Sequence, residues 1–359
     1  MKIAVIVDDF HGGAGNIAQI LALELSEEHR VSLVFTNMHS EPRYDLSRLD
    51  VYDQNVSINK GNKVLGLVSS IKNMKRLIKK IDPDMIISFL DNTNTIVCLS
   101  QWFTKTPIVV SERNNVLSLI PKAPWDKLRR IAYRRADVVT VQFKVFAGFD
   151  NNRFLKKAVV TPNIVVCPDV VKEKYETDTV KFVTFARLAD VKRHDLMIEL
   201  FDRAQSECPN MELHIYGEGK NEARLRKMID EKGLQHKVFL HGYCKEVHQR
   251  LIENDVYLMT SLQEGFPNSL SEAMAVGLPS VSFECHEGIR DMTENDISGY
   301  VVDEGDNNAF VEKMLYLARN VDTREKMGRK AREISSRFSK ENVMKTWLNA
   351  MSLASKKDT

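Results

Sequence analysis

The sequence has little of what marks several specialised classes of protein. Its 359 residues include five cysteines, none of them in a C-x-x-C pair, so neither a disulfide framework nor a zinc site is indicated. Only 10 prolines and 16 glycines are present, which excludes a collagen-like or low-complexity composition. The first apolar run ends at Asp8 and no later run is long enough to span a bilayer, so we expect neither a signal peptide nor a membrane span. These absences favour a globular protein of a reducing cytoplasm.

Charge of one sign is also scarce, because 51 basic residues are balanced by 49 acidic ones. Without a general positive field or a recognition motif, we expect no nucleic-acid partner. The basic residues are nonetheless unevenly placed. The segment 60–81 has no acidic residue and carries Lys60, Lys63, Lys72, Lys75, Arg76, Lys79 and Lys80. A second basic run lies in residues 127–135, and such segments favour an anionic neighbour.

Apolar runs of strand length alternate with segments of helical periodicity along most of the chain. In the first half we predict strands near 2–7, 31–36, 84–89, 107–111 and 137–141, and helices from Ile17 and near 63–81, 92–103 and 124–135. After a polar, proline-containing stretch we predict strands near 180–186, 211–216, 237–240, 256–259 and 279–283, and helices near 193–206, 220–232, 245–253 and 269–276. This pattern is typical of two parallel sheets covered on both faces.

The chain is also longer than the size at which one hydrophobic core usually stops growing. We therefore predict an α/β protein of two doubly wound, Rossmann-like domains that face one another across a cleft, where ligands bind at the carboxyl ends of the strands. The expected parts are an N-terminal domain over 1–165, a linker over 166–179, a C-terminal domain over 180–338 and a last helix over 339–359.

The most informative stretch reads SLQEGFPNSLSEAMAVGLPS and follows a predicted strand. It carries two carboxylates, Glu264 in the loop and Glu272 in the helix. The helix opens at Pro267 or Asn268, and its free N–H groups form an anion site suited to a diphosphate. Ser269 and Glu272 also match a capping box, S-x-x-E, which by itself explains Glu272 as a helix-end residue. Spacing does not separate these two interpretations.

A second constellation, FARLADVKRHD, lies at the carboxyl end of the first strand of the second half. Arg187 and Lys192 stand in one strand-to-helix loop, where a planar guanidinium and a compact ammonium can converge on one anion. Together they can stabilise a departing diphosphate without a metal. Ordinary surface charge is the alternative, but an arginine placed directly after a buried strand favours a site.

Glycines follow the first strand in the sequence GGAG at 12–15. The spacing falls short of G-x-G-x-x-G, and a glycine turn here is as often tight packing. We retain Gly13 and Ala14 as candidate backbone contacts to a phosphate or sugar. Because the fingerprint is incomplete and no acidic ribose partner follows it, a dinucleotide dehydrogenase ranks last among the candidate functions.

EGFPNSLSE, with Glu264 and Glu272, and ARLADVK, with Arg187 and Lys192, resemble the signature of family 4 of the retaining GT-B glycosyltransferases over nearly the whole chain. The resemblance implies that the N-terminal domain binds the acceptor, that the C-terminal domain binds the nucleotide-sugar and that the last helix returns to the N-terminal domain. It also implies that Arg187 and Lys192 hold the donor diphosphate. It implies that Glu264 contacts the donor sugar near the reacting carbon and that Glu272 binds the ribose. Glu264, Arg187 and Lys192 then form the catalytic set, and the donor site extends to Gly265, Phe266, Pro267, Asn268, Ser269 and Leu270.

The same resemblance implies a UDP-linked sugar as co-substrate and no metal or other cofactor, in agreement with the lack of an HExxH motif or clustered carboxylates. ISFLDNTN at 87–94 and VSERNN at 110–115 resemble enzymes that build bacterial polysaccharides or lipid-linked oligosaccharides, N-acetylgalactosaminyltransferases among them. Many relatives have histidine where Arg113 stands, and many have glycine where Ala186 and Arg193 stand. We therefore assign no base role to Arg113.

A retaining transfer needs either a covalent sugar intermediate or front-face attack in which the leaving phosphate takes the acceptor proton. Glu264 is a conceivable nucleophile by analogy with two-carboxylate glycosidases. We favour the front-face route, because Arg187, Lys192 and the helix end at Asn268 are suited to stabilising charge that grows on the diphosphate. Tyr243, after a predicted strand, is either a neighbour of the uracil or a packed aromatic.

The helix at 63–81 has an apolar side made of Val64, Leu67, Val68, Ile71, Met74, Ile78 and Ile81. Its lysines lie on the remaining surface, which is ordinarily a solvated face. The alternative is contact with anionic lipid or with the diphosphate of a lipid-linked acceptor, through Lys72, Lys75, Arg76, Lys79 and Lys80. With the second basic run, this favours a peripheral enzyme on the cytoplasmic face of the plasma membrane.

The sequence therefore predicts a retaining hexosyltransferase that moves GalNAc, Glc, Gal or GlcNAc from a UDP-sugar to a growing lipid-linked glycan of an O-antigen, capsule or related polysaccharide. Opening and closing about the linker would gate catalysis. Two alternatives remain. A UDP-sugar epimerase of the same fold would release UDP without an acceptor product, and a nucleotide-sugar-binding module would bind UDP without turnover.

Overall fold

The computed structural model describes residues 1–10, 12–37, 41–53, 63–115, 124–147, 158–166, 168–175, 178–286 and 288–356. Lys60 of the basic segment lies outside these residues. The chain divides into two compact units, the first formed by Met1–Ile164 with Glu341–Thr359 and the second by Val165–Lys340. Each unit is built on one parallel sheet, which confirms the predicted α/β class with two Rossmann-like domains. The shared cleft stays a prediction.

The first unit has seven strands: β1 (Lys2–Val7), β2 (Arg30–Phe35), β3 (Asp50–Asp53), β4 (Met85–Phe89), β5 (Ile108–Ser111), β6 (Val138–Val141) and β7 (Ala158–Val160). They form one sheet in the order β3-β2-β1-β4-β5-β6-β7. The helices of this unit are α1 (Gly12–Leu25), α2 (Lys63–Ile81), α3 (Asp91–Ser100), α4 (Trp125–Ala132), α5 (Lys144–Ala147) and the last of the chain, α13 (Lys340–Ser355). Every residue of β4 is buried, as expected for a central parallel strand covered on both faces.

The second unit has six strands: β8 (Val180–Phe185), β9 (Met211–Tyr216), β10 (Val238–Gly242), β11 (Val256–Met259), β12 (Ser280–Phe283) and β13 (Gly299–Val302). They form one sheet in the order β10-β9-β8-β11-β12-β13. Its helices are α6 (His194–Glu207), α7 (Glu222–Glu231), α8 (Val247–Ile252), α9 (Asn268–Val276), α10 (Gly288–Met292), α11 (Asn307–Arg319) and α12 (Val321–Ser335). One core of buried apolar side chains, among them Phe182, Phe201 and Phe283, fills this unit.

The predicted linker over 166–179 belongs to the second unit where the structure describes it. Tyr175 is buried and its hydroxyl donates to the carbonyl of Gly277. The Lys172 ammonium lies 3.0 Å from the buried Asp255 carboxylate. The division between units therefore falls at Ile164 and Val165, because packing against the second sheet outweighs the polar character of this stretch.

The last helix packs in the first unit. Trp347 of α13 is fully buried, and its ring centroid lies 5.7 Å from that of Phe89 at the end of β4. α13 thus closes one side of the first core.

The sequence missed three strands and four helices and misplaced parts of two others. The missed strands, β3, β7 and β13, are edge strands of their sheets and only three or four residues long. The missed helices are α5, α10, α11 and α12. α1 begins at Gly12, so the predicted glycine turn is its first turn. In α2, Val64 and Val68 are exposed, whereas Gly66 and Ser70 are buried because small residues let the helix approach its neighbours closely.

Candidate active site

The two most informative motifs meet at one point of the second sheet. Strand order reverses between β8 and β11, since the strands that follow β8 add on one side and those that follow β11 on the other. Ligands of doubly wound sheets bind outside the carboxyl ends of the strands at such a point. Arg187 and Lys192 follow β8, and Glu264 follows β11. The topology therefore places both predicted motifs where a ligand is expected.

The structure brings Lys192 and Glu264 into direct contact. The Lys192 ammonium donates to the Glu264 carboxylate, and the two side chains are only 18% and 13% exposed. An ion pair shielded to this extent is screened less than a pair on the open surface. The cation and the carboxylate assigned to donor binding thus already face one another.

Backbone contacts tie the loop after β8 to the loop after β11. The Thr260 hydroxyl lies 2.9 Å from the Lys192 carbonyl and 3.1 Å from the Arg193 carbonyl, and its proton points to this pair of acceptors. The Leu262 N–H donates to the Val191 carbonyl over 2.8 Å. These bonds hold the backbone of Lys192 in place beside Glu264.

Arg193 adds a side-chain clamp to the same loop. Its backbone is left-handed, with φ +50° and ψ +48°, a conformation that glycine adopts more easily. Its Nε donates to the Thr260 carbonyl at 2.7 Å, and its two terminal nitrogens donate to the Glu304 carboxylate at 2.5 and 2.8 Å. The clamp compensates for the unfavourable backbone conformation.

Arg187 has a fixed backbone and an exposed side chain. A Cβ atom on Gly217 would lie 1.9 Å from the Ala186 carbonyl oxygen, so the glycine lets the loop after β9 pack directly on this backbone. Within the described residues, no hydrogen bond or ion pair engages the Arg187 guanidinium, whose side chain is exposed. The guanidinium is therefore available to a ligand.

The helix α9 begins at Asn268, and Pro267 is its N-cap. Ser269 lies in the first turn and not at the N-cap, so the capping-box interpretation of Ser269 and Glu272 is wrong. The Ser269 hydroxyl instead accepts a hydrogen bond from the buried Tyr257 hydroxyl at 2.7 Å. The N–H groups of the first turn have no acceptor within the helix, which suits an anion.

Three predicted donor contacts are limited to the backbone. Phe266 is buried and packs edge-on against Phe338, with ring centroids 5.4 Å apart. Leu270 is fully buried and Pro267 is buried. Their side chains shape the loop rather than reach a ligand, whereas Gly265, Asn268, Ser269 and Glu272 are partly exposed.

The glycine motif of the first unit behaves mainly as a packing element. A Cβ atom on Gly15 would lie 2.3 Å from the Asp9 carbonyl oxygen, so this residue must be small. Gly13 and Ala14 lie half-buried in the first turn of α1. They remain candidate backbone contacts.

Sequence reasoning missed two residues of the loop after β12. Burial lowers the pKa of His286 to about 4, and the ring, which lies against the backbone of Gly265, is therefore neutral at neutral pH. Burial raises the pKa of Cys285 to about 12, so this neighbour of Glu264 and Lys192 stays a thiol. One indication of these two residues was present in the sequence, since both follow β12, the strand next to β11.

Tyr243 is 68% exposed, so the packed-aromatic interpretation is wrong. It borders a pocket of about 620 Å³ that also includes Tyr216 and His241. The ring is free to stack on a ligand, and its contact with uracil stays a prediction.

Arg113 is buried in the first unit rather than presented to a ligand. One terminal nitrogen donates to the Thr161 carbonyl at 2.8 Å and to the Asn163 amide oxygen at 3.0 Å. The guanidinium also lies over the Phe89 and Trp347 rings. Burial lowers its pKa to about 9. These contacts give Arg113 a structural role.

The described residues show neither a metal-binding cluster nor a helix able to span a membrane. No group of three or more His, Cys, Asp or Glu side chains in the described part of the chain is arranged to hold a metal ion. No helix in that part combines the length and hydropathy that crossing a membrane requires.

Comparison with known proteins agrees with this geometry. Residues 168–334 match the family described as glycosyl transferases group 1. Over 165 residues, 46% of the chain, the sequence is 34% identical to the poly(ribitol-phosphate) alpha-N-acetylglucosaminyltransferase of Staphylococcus aureus, and the match spans 34% of that protein's length. A second relative, from Campylobacter jejuni, matches 97% of both chains at 25% identity. It is the GalNAc-alpha-(1->4)-GalNAc-alpha-(1->3)-diNAcBac-PP-undecaprenol alpha-1,4-N-acetyl-D-galactosaminyltransferase.

The solved structures show the same fold. The crystal structure of Anabaena HepE in complex with UDP superposes with a TM-score of 0.80 at 16% identity, covering 98% of this chain and all of that one. The chain therefore has the GT-B fold, and its residues 168–334 match the group 1 glycosyl transferase family.

Proposed function

We propose that the chain is a family 4 enzyme that moves a hexose or N-acetylhexosamine from a UDP-sugar to a lipid-linked glycan, with retention of configuration. The contact between Lys192 and Glu264 at the β8/β11 switch point carries this proposal. It supports a donor site because it joins the two motifs that the family assigns to the diphosphate and to the sugar. The GalNAc transferase of C. jejuni, which matches nearly the whole chain, supports an acceptor of the lipid-linked class.

In this proposal the diphosphate lies between Lys192, Arg187 and the first turn of α9. Arg187 offers a planar fork and Lys192 a compact charge, and both stabilise the negative charge that grows on the leaving phosphate. Arg187 is exposed without a bound partner in the described residues, so it closes on the diphosphate when the donor binds.

The Lys192 ammonium then exchanges part of its contact with Glu264 for a phosphate oxygen. Glu264 turns to the sugar near the reacting carbon, and Glu272 in the second turn of α9 binds the ribose. The leaving phosphate takes the acceptor proton on the same face, so no metal and no protein base is required.

The acceptor and the membrane are assigned to the first unit. Lys72, Lys75, Arg76, Lys79 and Lys80 are exposed along α2, and the exposed Val64, Leu65 and Val68 continue this surface at the start of the helix. A helix surface that carries both basic and apolar side chains suits the interface of an anionic membrane. We propose that it holds the enzyme at the cytoplasmic face, near its lipid-linked substrate, in O-antigen, capsule or related polysaccharide synthesis.

The direct test is a screen of UDP-GalNAc, UDP-Glc, UDP-Gal and UDP-GlcNAc for UDP release, with and without an undecaprenyl-diphosphate-linked acceptor. We expect one donor to be hydrolysed slowly alone and at least about tenfold faster with acceptor, since the acceptor completes the reacting geometry. The anomeric proton coupling of the product, measured by NMR, reports retention. Addition of EDTA should leave the rate unchanged.

The alternatives give different results in the same assay. An epimerase releases UDP and forms no acceptor product, and a binding module binds UDP without turnover. Glu264→Ala should abolish product formation while UDP still binds. Unchanged turnover in this variant would exclude the proposed role of Glu264.

A further inference from the structure

Two large aromatic side chains stand in water on a short turn of the first unit. The turn, residues 101–104, follows α3. Phe103 on this turn is 91% exposed, and Trp102 beside it is 37% exposed. An aromatic pair removes much apolar surface from water when it is covered, so a pair held out on a turn marks a contact surface.

Hydrogen bonds from the Arg135 side chain hold the backbone of the turn in place. The Arg135 Nε donates to the Gln101 carbonyl at 2.9 Å, and one terminal nitrogen donates to the carbonyls of Thr104 and Thr106 at 3.0 and 2.6 Å. The Thr104 N–H closes the turn on the Gln101 carbonyl at 3.1 Å. Three carbonyls fixed by one guanidinium leave the two rings little freedom to fold back onto the protein.

Sheet topology gathers basic residues around the turn. α2 ends before β4, the aromatic turn precedes β5, and the segment 133–135 precedes β6. Because β4, β5 and β6 are parallel neighbours, these three segments lie along the same amino-terminal edge of the sheet. Each segment carries exposed basic residues: Lys79 and Lys80 at the end of α2, Lys105 after the aromatic turn, and Arg134 before β6.

Acidic residues also lie along this edge. Asp82 and Asp84 are exposed in the loop between α2 and β4, and the Asp84 carboxylate accepts the Lys2 N–H at 2.7 Å. Asp137 accepts the Ile108 N–H at 2.8 Å and pairs with Arg135 at 3.2 Å. The positive charge at the end of α2 is therefore partly offset, whereas Lys105 and Arg134 form no ion pair within the described residues and leave the surface beside the turn positive.

We propose that the turn with Trp102 and Phe103 is an aromatic anchor that inserts into the headgroup region of an anionic bilayer. Trp prefers the interface, where its ring is apolar and its N–H is solvated, and Phe is a wedge into the acyl boundary. The surrounding lysines and Arg134 match anionic headgroups. The anchor adds a second attachment to the α2 surface of the proposed function, on which this inference rests, because α2 runs for about 28 Å from the carboxyl to the amino edge of the sheet.

The fluorescence emission of Trp102 can be used to measure insertion of the turn into a bilayer. Of the three tryptophans, Trp347 is fully buried and Trp125 is half-buried, so the Trp102 signal is isolated by subtracting the spectrum of Trp102→Phe. The full chain is mixed with phosphatidylglycerol vesicles, with phosphatidylcholine vesicles and with vesicles that carry brominated acyl chains. We expect a blue shift and bromine quenching of the Trp102 emission on anionic vesicles only.

Cosedimentation measures the contribution of the second ring. Phe103→Ser should weaken binding to phosphatidylglycerol vesicles about tenfold, the factor expected when one aromatic side chain no longer leaves water. Phe239→Ser, a change of the same kind at a half-buried ring of the second unit, is the matched control and should leave vesicle binding unchanged. Binding without a shift or quenching of Trp102 would overturn the proposal, since α2 would then act alone.

Two further measurements distinguish the membrane anchor from self-association and from the proposed enzyme activity. Light scattering without lipid tests a second copy of the chain, and a dimer that Phe103→Ser dissolves would assign the turn to self-association instead. UDP binding and donor hydrolysis in solution should be unchanged in Phe103→Ser. If donor hydrolysis is absent from the unaltered chain, the proposed function fails, whereas the fluorescence result still decides the anchor.

Discussion

Arg113 and Arg187 both follow the end of a parallel strand, one in each unit, but they differ in burial and in contacts. Each stands two residues beyond the last residue of a central parallel strand, β5 or β8. Arg113 is fully buried and its guanidinium donates to Ser111, Thr161 and Asn163. Arg187 is exposed and has no partner among the described residues. The same placement after a strand therefore gives a buried, structural cation in one unit and an exposed cation, which we propose binds the diphosphate, in the other.

Two carboxylates, one in each unit, repeat the contrast. Glu112 is buried with Tyr133 and with Arg129, whose nitrogen lies 3.6 Å away, and burial raises its pKa. Glu264 is partly exposed beside Lys192. A charge whose bonding capacity is filled inside the core holds the fold together, whereas a charge left at a strand end with spare capacity can act on a ligand.

The largest effect is expected on stability, for Arg113→Ala. The change leaves the Thr161 carbonyl and the Asn163 amide without a donor and opens a cavity between Phe89 and Trp347, which together should lower the free energy of unfolding by about 4 kcal/mol. Urea denaturation followed by circular dichroism measures it. A loss below about 1 kcal/mol would remove the contrast between the two arginines.

The next largest effect is on turnover. Lys192→Ala and Arg187→Ala should each reduce donor turnover by about 100-fold or more, because both charges act on the leaving diphosphate. The same urea measurement should show stabilities within about 0.5 kcal/mol of the unaltered protein for Arg187→Ala. Lys227→Ala, at an exposed lysine of α7, is the matched control and should keep full turnover. Near-normal turnover in both variants would refute the diphosphate assignment.

A third effect concerns acid stability of the second unit. Neither ring nitrogen of the buried His194 has a hydrogen-bond partner in the described part of the chain, and burial lowers its pKa to about 4. The folded state thus favours the neutral ring, so stability is complete above the ordinary pKa near 6.5 and falls as the pH drops towards 4. Between pH 6.5 and 5 the loss should be about 2 kcal/mol.

His194→Leu removes this titration, so unfolding measured from pH 7 to pH 5 should lose about 2 kcal/mol less than in the unaltered protein. His29→Leu, at a half-buried ring of the first unit, is the control for general acid effects. Identical pH slopes for His194→Leu and the unaltered protein would show that His194 is not the group responsible.

The smallest effect separates backbone from side chain at Arg193. Both Arg193→Ala and Arg193→Gly remove the clamp on Thr260 and Glu304, but only glycine relaxes the left-handed backbone. Arg193→Ala should therefore be about 1 kcal/mol less stable than Arg193→Gly in urea denaturation. Equal stabilities would mean that the backbone changes conformation once the clamp is gone.

The sequence was sufficient for the architecture and for the residues at the switch point. Long apolar strands such as β1 and β8 and the motif ARLADVK stand out because burial on both faces leaves a continuous pattern. It was insufficient for the burial of Arg113 and Phe266, because the partners that bury them, Thr161 and Phe338, are distant in sequence. The contact of Lys192 with Glu264 could not be predicted for the same reason, since the two residues follow different strands and are distant in sequence.

The most direct test is a crystal structure of the chain with its UDP-sugar or with UDP. The Arg187 guanidinium and the Lys192 ammonium should lie within about 3.2 Å of the oxygens of the two phosphates, the ordinary range for such hydrogen bonds. If both groups point into solvent with the nucleotide bound, the catalytic assignment is wrong.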